Sequence, residues 1–129
     1  MVLLFMEQMK INRKDKYGKR QGIWKFFNSV GEPRLIVTYK DGILNGKWES
    51  YNNDGRIHTR GLRKDDKRHG LWLTYYINGG IYSEEFYING KRHGLCTVFD
   101  SRGNTLFKGM FISGRQVGLK YEHVYGNLK

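Results

Sequence analysis

Five glycines fall 24 positions apart along this chain: Gly22, Gly46, Gly70, Gly94 and Gly118. Four positions ahead of them stand Gly18, Gly42, Asp66, Gly90 and Gly114. Two positions after them come Trp24, Trp48, Trp72, Cys96 and Lys120, a column that holds all three tryptophans. Three further on are Phe27, Tyr51, Tyr75, Phe99 and His123, followed by Gly31, Gly55, Gly79 and Gly103. A late slot holds Tyr39, Arg63, Tyr87 and Phe111, aromatic in three of four. A chain with this period folds as a stack of near-identical units, each burying its apolar face against its neighbours. The units are 18–41, 42–65, 66–89, 90–113 and a partial one at 114–129.

Each unit reads as two strands. The first runs from the second glycine to the aromatic, as in Gly46-Lys47-Trp48-Glu49-Ser50-Tyr51. A polar turn ending in glycine follows, such as Asn52-Asn53-Asp54-Gly55 or Asp100-Ser101-Arg102-Gly103. The second strand is rich in β-formers, as in Leu35-Ile36-Val37-Thr38-Tyr39, and closes at Asp41-Gly42, Asn89-Gly90 or Ser113-Gly114. Those closing pairs supply the positive φ that tight hairpins need. Outside the N-terminus no apolar 3.6-residue period is long enough for a helix. The expected fold is all-β: an elongated single-layer antiparallel meander of stacked hairpins over 14–129, with residues 1–13 as N-terminal cap and first strand. Strands ~4.8 Å apart advance the stack by ~10 Å per unit and to ~45 Å in all.

Three details carry expectations of their own. Glycines at fixed slots are explained if aromatic rings from neighbouring strands lie over bare backbone. Trp24 and Phe27 are separated by an odd step, so either a bulge intervenes or the sheet carries aromatics on both faces. The ends should behave as caps: Lys120 and His123 turn the pattern polar in the last unit, and residues 2–11 fold an apolar segment over the first strand.

Composition narrows the function. Net charge is +11, from 23 Lys and Arg against 12 Asp and Glu, which attracts nucleic acid, anionic lipid or an acidic protein without choosing among them. Cys96 is the only cysteine, so no intrachain disulfide forms and a reducing compartment is expected. The run Val2-Leu3-Leu4-Phe5-Met6 is too short for a signal-peptide core. Nothing approaches the ~20 apolar residues that span a bilayer. The expected product is soluble and cytoplasmic, starting at Met1 or at Met6.

Two stretches carry a family resemblance: Asp41-Gly-Ile-Leu-Asn-Gly46-Lys-Trp48-Glu-Ser-Tyr51-Asn-Asn-Asp-Gly55 and Asn89-Gly-Lys-Arg-His-Gly94-Leu. The sequence resembles the MORN repeat family in its bacterial and viral variant form, over roughly residues 14–126. The resemblance implies an elongated hairpin sheet that mediates protein–protein contacts, in some cases dimerises or meets anionic phospholipid, and in bacterial variants acts as an antitoxin-like inhibitor. Departures from the pattern are Asp66 for glycine, Cys96 for tryptophan and the polar final unit. The first puts one turn in question and the second implies weaker packing in the fourth unit.

The candidate sites follow the columns. Lys19, Arg20, Lys67, Arg68, Lys91, Arg92 and Arg115 recur before the second glycine, with a gap at Ile43-Leu44, and Arg13, Lys14 and Lys16 extend the field. This reads as a stripe for phosphates or acidic side chains, or as solvated turn residues that discourage edge-to-edge pairing. Trp24, Trp48 and Trp72, with Gly22, Gly46, Gly70 and Gly94, form the structural column. Tyr51, Tyr75, Tyr76, Tyr82 and Tyr87 are the expected exposed aromatic contacts, because exposed aromatic surface on a single-layer sheet marks a binding face. His69, His93 and Cys96 lack a third ligand column for a metal. Glu84-Glu85 and Asp65-Asp66 are adjacent pairs, not opposed acid–base carboxylates. No catalytic residue, metal, cofactor or small-molecule substrate is expected. The leading expectation is a non-enzymatic protein-interaction scaffold, antitoxin-like or self-associating. The alternative is a binder of anionic lipid or nucleic acid through the basic column.

Overall fold

The computed structural model describes residues 10–122, so Val2–Met6, His123 and the Lys120 side chain, on which both cap expectations rest, lie outside what is described. The strands are β1 (Arg13–Lys14), β2 (Arg20–Phe27), β3 (Pro33–Lys40), β4 (Ile43–Tyr51), β5 (Ile57–Lys64), β6 (Lys67–Tyr75), β7 (Ile81–Ile88), β8 (Lys91–Arg92), β9 (Gly94–Phe99), β10 (Thr105–Ile112) and β11 (Arg115–Glu122). They form one open antiparallel sheet in chain order, with the short β8 pairing β7 beside β9. There is no helix among the described residues, hence none long and apolar enough to cross a membrane. Nine strand steps along the path give an extent of about 43 Å.

Two kinds of turn alternate. The wide ones repeat one hydrogen-bond set, in which Asn28, Asn52, Tyr76 and Asp100 donate their amides to the carbonyls of Glu32, Arg56, Gly80 and Asn104. The narrow ones are two-residue turns with both φ positive, at Asp41-Gly42, Asp65-Asp66, Asn89-Gly90 and Ser113-Gly114, the form that suits the strand twist. Asp66 takes φ 72°, so the turn in question is kept despite the missing glycine. Each narrow turn is also tied to the preceding unit: the amides of Gly42, Asp66, Gly90 and Gly114 donate to the carbonyls of Arg20, Leu44, Arg68 and Arg92 at 2.8–2.9 Å.

The second glycine column has a different cause from the one expected. Between β3 and β4 the register jumps from Val37↔Trp48 to Tyr39↔Leu44, so β4 carries two more residues than its partner there. The same excess recurs between Arg60↔Leu73 and Leu62↔His69, and between Lys108↔Tyr121 and Met110↔Val117. This is a bulge repeated every unit, and its glycine sits at positive φ (123° at Gly46, 75° at Gly70) where a side chain is strained. No ring covers it: a Cβ on Gly70 would meet nothing within 4 Å. The ring over bare backbone is found instead at Gly61, where a Cβ would overlap the Trp72 indole.

Alternation gives the sheet two distinct faces. Trp24, Val37, Trp48 and Gly61 stand opposite one another in turn, and the row continues through Trp72↔Glu85 and Cys96↔Gly109. This tryptophan face holds the core: Trp72 and Val37 are each 1% exposed, and Trp24, Tyr87, Cys96 and Phe111 are buried. The Trp72 Nε1–H donates to Leu62 O at 3.0 Å, and that of Trp24 to Arg13 O at 3.1 Å, so the buried indoles keep their hydrogen bonds. The second aromatic column lies across the sheet. Tyr51 donates its hydroxyl to Glu49 at 3.0 Å, and Arg60 lies 5.8 Å from the Tyr75 ring; both partners belong to the far face. The sheet therefore carries aromatics on both sides.

Candidate functional site

The paired basic residues at the start of β2, β6 and β8 do not act alike. On adjacent positions one side chain points to each side of the sheet. Arg20 lies over the tryptophan face, its Cζ 4.5 Å from the Trp24 ring, 5.5 Å from Phe26 and 5.3 Å from Tyr39. Its Nη1 donates to the Tyr39 hydroxyl at 3.0 Å. Arg68 repeats the pose over Trp72 at 4.3 Å and Tyr87 at 5.3 Å, donating to the Tyr87 hydroxyl at 3.3 Å. Arg92 lies 5.4 Å from Phe111 and pairs with Glu85 at 2.6 Å. These guanidiniums form the lid of the aromatic face. Lys19, Lys67 and Lys91 are exposed instead, their stems against Gly42, Gly90 and Gly114 of the next turn. Arg115 is exposed as well.

The gap in the basic column at Leu44 is filled from another slot. Arg63 occupies the position that holds Tyr39, Tyr87 and Phe111 in the other units. Its Cζ lies 5.6 Å from the Trp48 ring and 5.3 Å from Trp72, and the two indoles are themselves 5.3 Å apart. Arg63 also stands directly across from Arg68. Burial first, and then the neighbouring Arg68 charge, hold the Arg63 guanidinium below its ordinary pKa. Its Nη1 donates to Asp66 O at 2.9 Å, whereas its Nε is buried with no hydrogen-bond partner among the described residues. Sequence reading passed over Arg63, and the signal was there: it is the charged residue in an otherwise aromatic column.

The tyrosines divide. Tyr82 is 42% exposed and edge-on to Tyr76, which is half-buried with its hydroxyl donated to Phe99 O at 2.8 Å. Tyr51 and Tyr75 are half-buried on the far face. Tyr87, expected at the surface, is buried at 9% because Arg68 covers it and it belongs to the tryptophan face. Among the described residues no three His, Cys, Asp or Glu converge as for a metal ion. Glu85 lies on the tryptophan face and Glu84 on the other, while Asp65 and Asp66 form a turn. Burial raises the Cys96 thiol pKa, which keeps it protonated and unreactive.

The far face carries the feature that sequence reading missed altogether. Leu62, Leu71, Phe86, Leu95 and Met110 are each 41–46% exposed. Leu71 faces Phe86 and Leu95 faces Met110, so five strands from β5 to β10 share one apolar row, about 19 Å long at ~4.8 Å per strand. Beside it Lys47, Glu49, Arg60, Leu62, Leu71 and Leu73 line an open depression of about 320 Å³. The signal was periodic: 62, 86 and 110 are 24 apart, as are 71 and 95, while Thr38 and Lys47 break the row in the earlier units.

Residues 68–89, from Arg68 through Trp72 to Tyr87, match the family model for the MORN repeat variant. That stretch is a MORN-variant repeat. The matched stretch is one unit, β6 and β7 with their wide turn, and the same strand, bulge and turn geometry recurs along the sheet. MORN repeats serve interactions with proteins or membrane lipids. No curated protein matches the chain. Among solved structures the repeats are similar to a crystal structure of TarM, at 12% identity and a TM-score of 0.47, covering 90% of this chain and 23% of that one. They are likewise similar to a point mutant of S. aureus TarM in complex with fondaparinux, α-GlcNAc-glycerol and UDP, at 11% identity and a TM-score of 0.47, covering 89% and 23%. The chain thus spans under a quarter of either, and the likeness carries no argument about activity.

Proposed function

We propose that this MORN-repeat chain is a non-enzymatic scaffold for protein–protein contact, acting as an antitoxin-like inhibitor or by self-association. The observation that carries the reading is the apolar row on the far face. Five large side chains stand in line, half out of water, on a sheet with no second layer over them among the described residues. Apolar surface of this kind on a soluble chain marks a contact site. The tryptophan face, by contrast, is roofed by its own arginines. A reducing, cytoplasmic setting fits the single buried thiol.

Binding of anionic surfaces is the second reading, supported by the exposed Lys19, Lys67, Lys91 and Arg115 along the narrow-turn edge. One experiment separates the two. Tagged protein and its Leu71→Asp/Phe86→Asp and Lys67→Glu/Lys91→Glu variants are used to capture partners at low and at physiological salt, with the mass of the free protein measured alongside. The scaffold reading expects a complex or a dimer that survives salt and disappears with the two aspartates. Loss with the glutamates alone, together with collapse at physiological salt, favours the anionic surface and overturns the first reading.

A further inference from the structure

We infer that Arg63 and Arg68, side by side over the Trp72 indole, form a receptor for a carboxylate side chain presented by a partner protein. This rests on the scaffold reading and names the chemistry of one contact within it. Neighbouring units of the repeat differ at this point. In the fourth unit the arginine of the basic column, Arg92, has an internal counter-ion: Glu85, standing in the row of Trp72 and Cys96, meets it at 2.6 Å. One unit earlier the place of Glu85 is taken by Gly61, and the place of Arg92 by Arg68. Gly61 has no carboxylate to give, and the Trp72 ring occupies the space above it.

Charge is added there rather than removed. The slot facing Arg68 holds Arg63 where the other units hold Tyr39, Tyr87 or Phe111. Two guanidiniums thus lie across one indole, 5.3 and 4.3 Å from its centroid, both half-buried. Neither has a carboxylate within ion-pair distance among the described residues. Of the carboxylates nearby, Glu85 is engaged by Arg92 and accepts from the Tyr87 hydroxyl at 3.3 Å, and Asp66 attracts Arg63 through space without pairing with it. Like charges pressed together on an apolar ring destabilise each other until an anion joins them. The buried Arg63 Nε has no hydrogen-bond partner among the described residues. A carboxylate is the anion this repeat already accommodates one unit along. The two planar forks suit it in a bidentate pose, and lysines in their place would not.

The test uses an acetyl-hexaglutamate peptide titrated into the whole chain, followed by tryptophan fluorescence and by the arginine Nε–Hε NMR signals. Saturable shifts are expected at Arg63 and Arg68, with Arg92 unmoved. The variant Arg63→Tyr/Arg68→Leu uses residues the chain itself carries in those slots, at Tyr39 and Leu44, so the fold has precedent for it. It should bind the peptide about tenfold more weakly or worse. A separate Arg68→Lys change keeps the charge and is expected to lose most of the same affinity. Lys67→Gln/Lys91→Gln is expected to stay within about threefold of the parent. Equal weakening by the lysine and arginine variants would overturn the inference. So would tighter binding of inorganic phosphate, or of phosphatidylcholine–phosphatidylserine vesicles, than of the peptide. If the peptide fails to bind while partner capture still depends on Leu71 and Phe86, the receptor is wrong and the scaffold stands. If the peptide binds at the arginines while Leu71→Asp/Phe86→Asp leaves capture intact, the receptor stands and the apolar-row reading falls.

Discussion

The third and fourth units share one backbone and pack it differently. In the third, Trp72 lies over Gly61 and is 1% exposed, with two guanidiniums above it that make no ion pair among the described residues. In the fourth, Cys96 takes the tryptophan slot opposite Gly109, and the Phe107 ring occupies the space above that glycine. Arg92 there is tied to Glu85. Volume has moved across the sheet from one strand to the next: a large ring on β6 over a bare β5, then a small thiol on β9 under a ring from β10. The repeat specifies the frame, and the filling is settled by cross-strand pairs. Weaker packing in the fourth unit, expected from Cys96 alone, overlooked Phe107.

The comparison can be broken most severely at Trp72. Trp72→Ala is expected to cost about 3–5 kcal/mol in urea unfolding, and Cys96→Ala only about 1 kcal/mol, because a thiol leaves far less empty volume. A similar loss for both would mean that the indole is not the centre of the core. Gly61→Ala comes next. It drives a methyl into the middle of the indole, whereas Gly109→Ala meets mainly the tip of the Phe107 ring and the Gln116 amide. The first should cost about 2–3 kcal/mol and the second about half that, read as urea midpoints at constant slope.

A smaller effect separates the units by pH. Burial raises the Cys96 thiol above its ordinary 9.0, so folding favours the protonated form. That stability is complete below the ordinary pKa and is lost as pH rises through the folded one. Stability should therefore fall on the alkaline side of pH 9.0 more steeply in the parent than in Cys96→Ser. The native thiol should also resist iodoacetamide until denaturant is added. The smallest change sharpens the turns. Asp66→Gly gives the third unit the glycine that its neighbours have at this positive φ, and should raise stability by about 0.5 kcal/mol in thermal unfolding.

The architecture was legible because its determinants are local and periodic. Turn pairs with positive φ and a 24-residue column need no knowledge of tertiary contacts. The binding surfaces were harder. Arg68 rather than Lys67 faces the rings because the bulge adds two residues and so keeps Arg68 in step with Trp72, an even count that no residue type announces. Tyr87 looked exposed because its column was read without the arginine that covers it. Arg63 and the row through Leu62, Phe86 and Met110 were written in the same period, but as departures from a column in one case and as a weaker column in the other. Reading them needed the faces to be assigned first.

The rim bonds of the narrow turns set a rule for how such a chain changes length. Every rim amide is answered by a carbonyl 22 positions back, from Gly42 to Arg20 through Gly114 to Arg92. An insertion of arbitrary size within a strand would orphan a donor at the rim and shift the ring-bearing side chains out of line. Only a whole cassette leaves every partner in place, so molecules made this way grow or shrink in steps of two strands, about 10 Å at a time. Their reach is quantised, and a partner that spans several cassettes is measured by a ruler cut into the main chain itself.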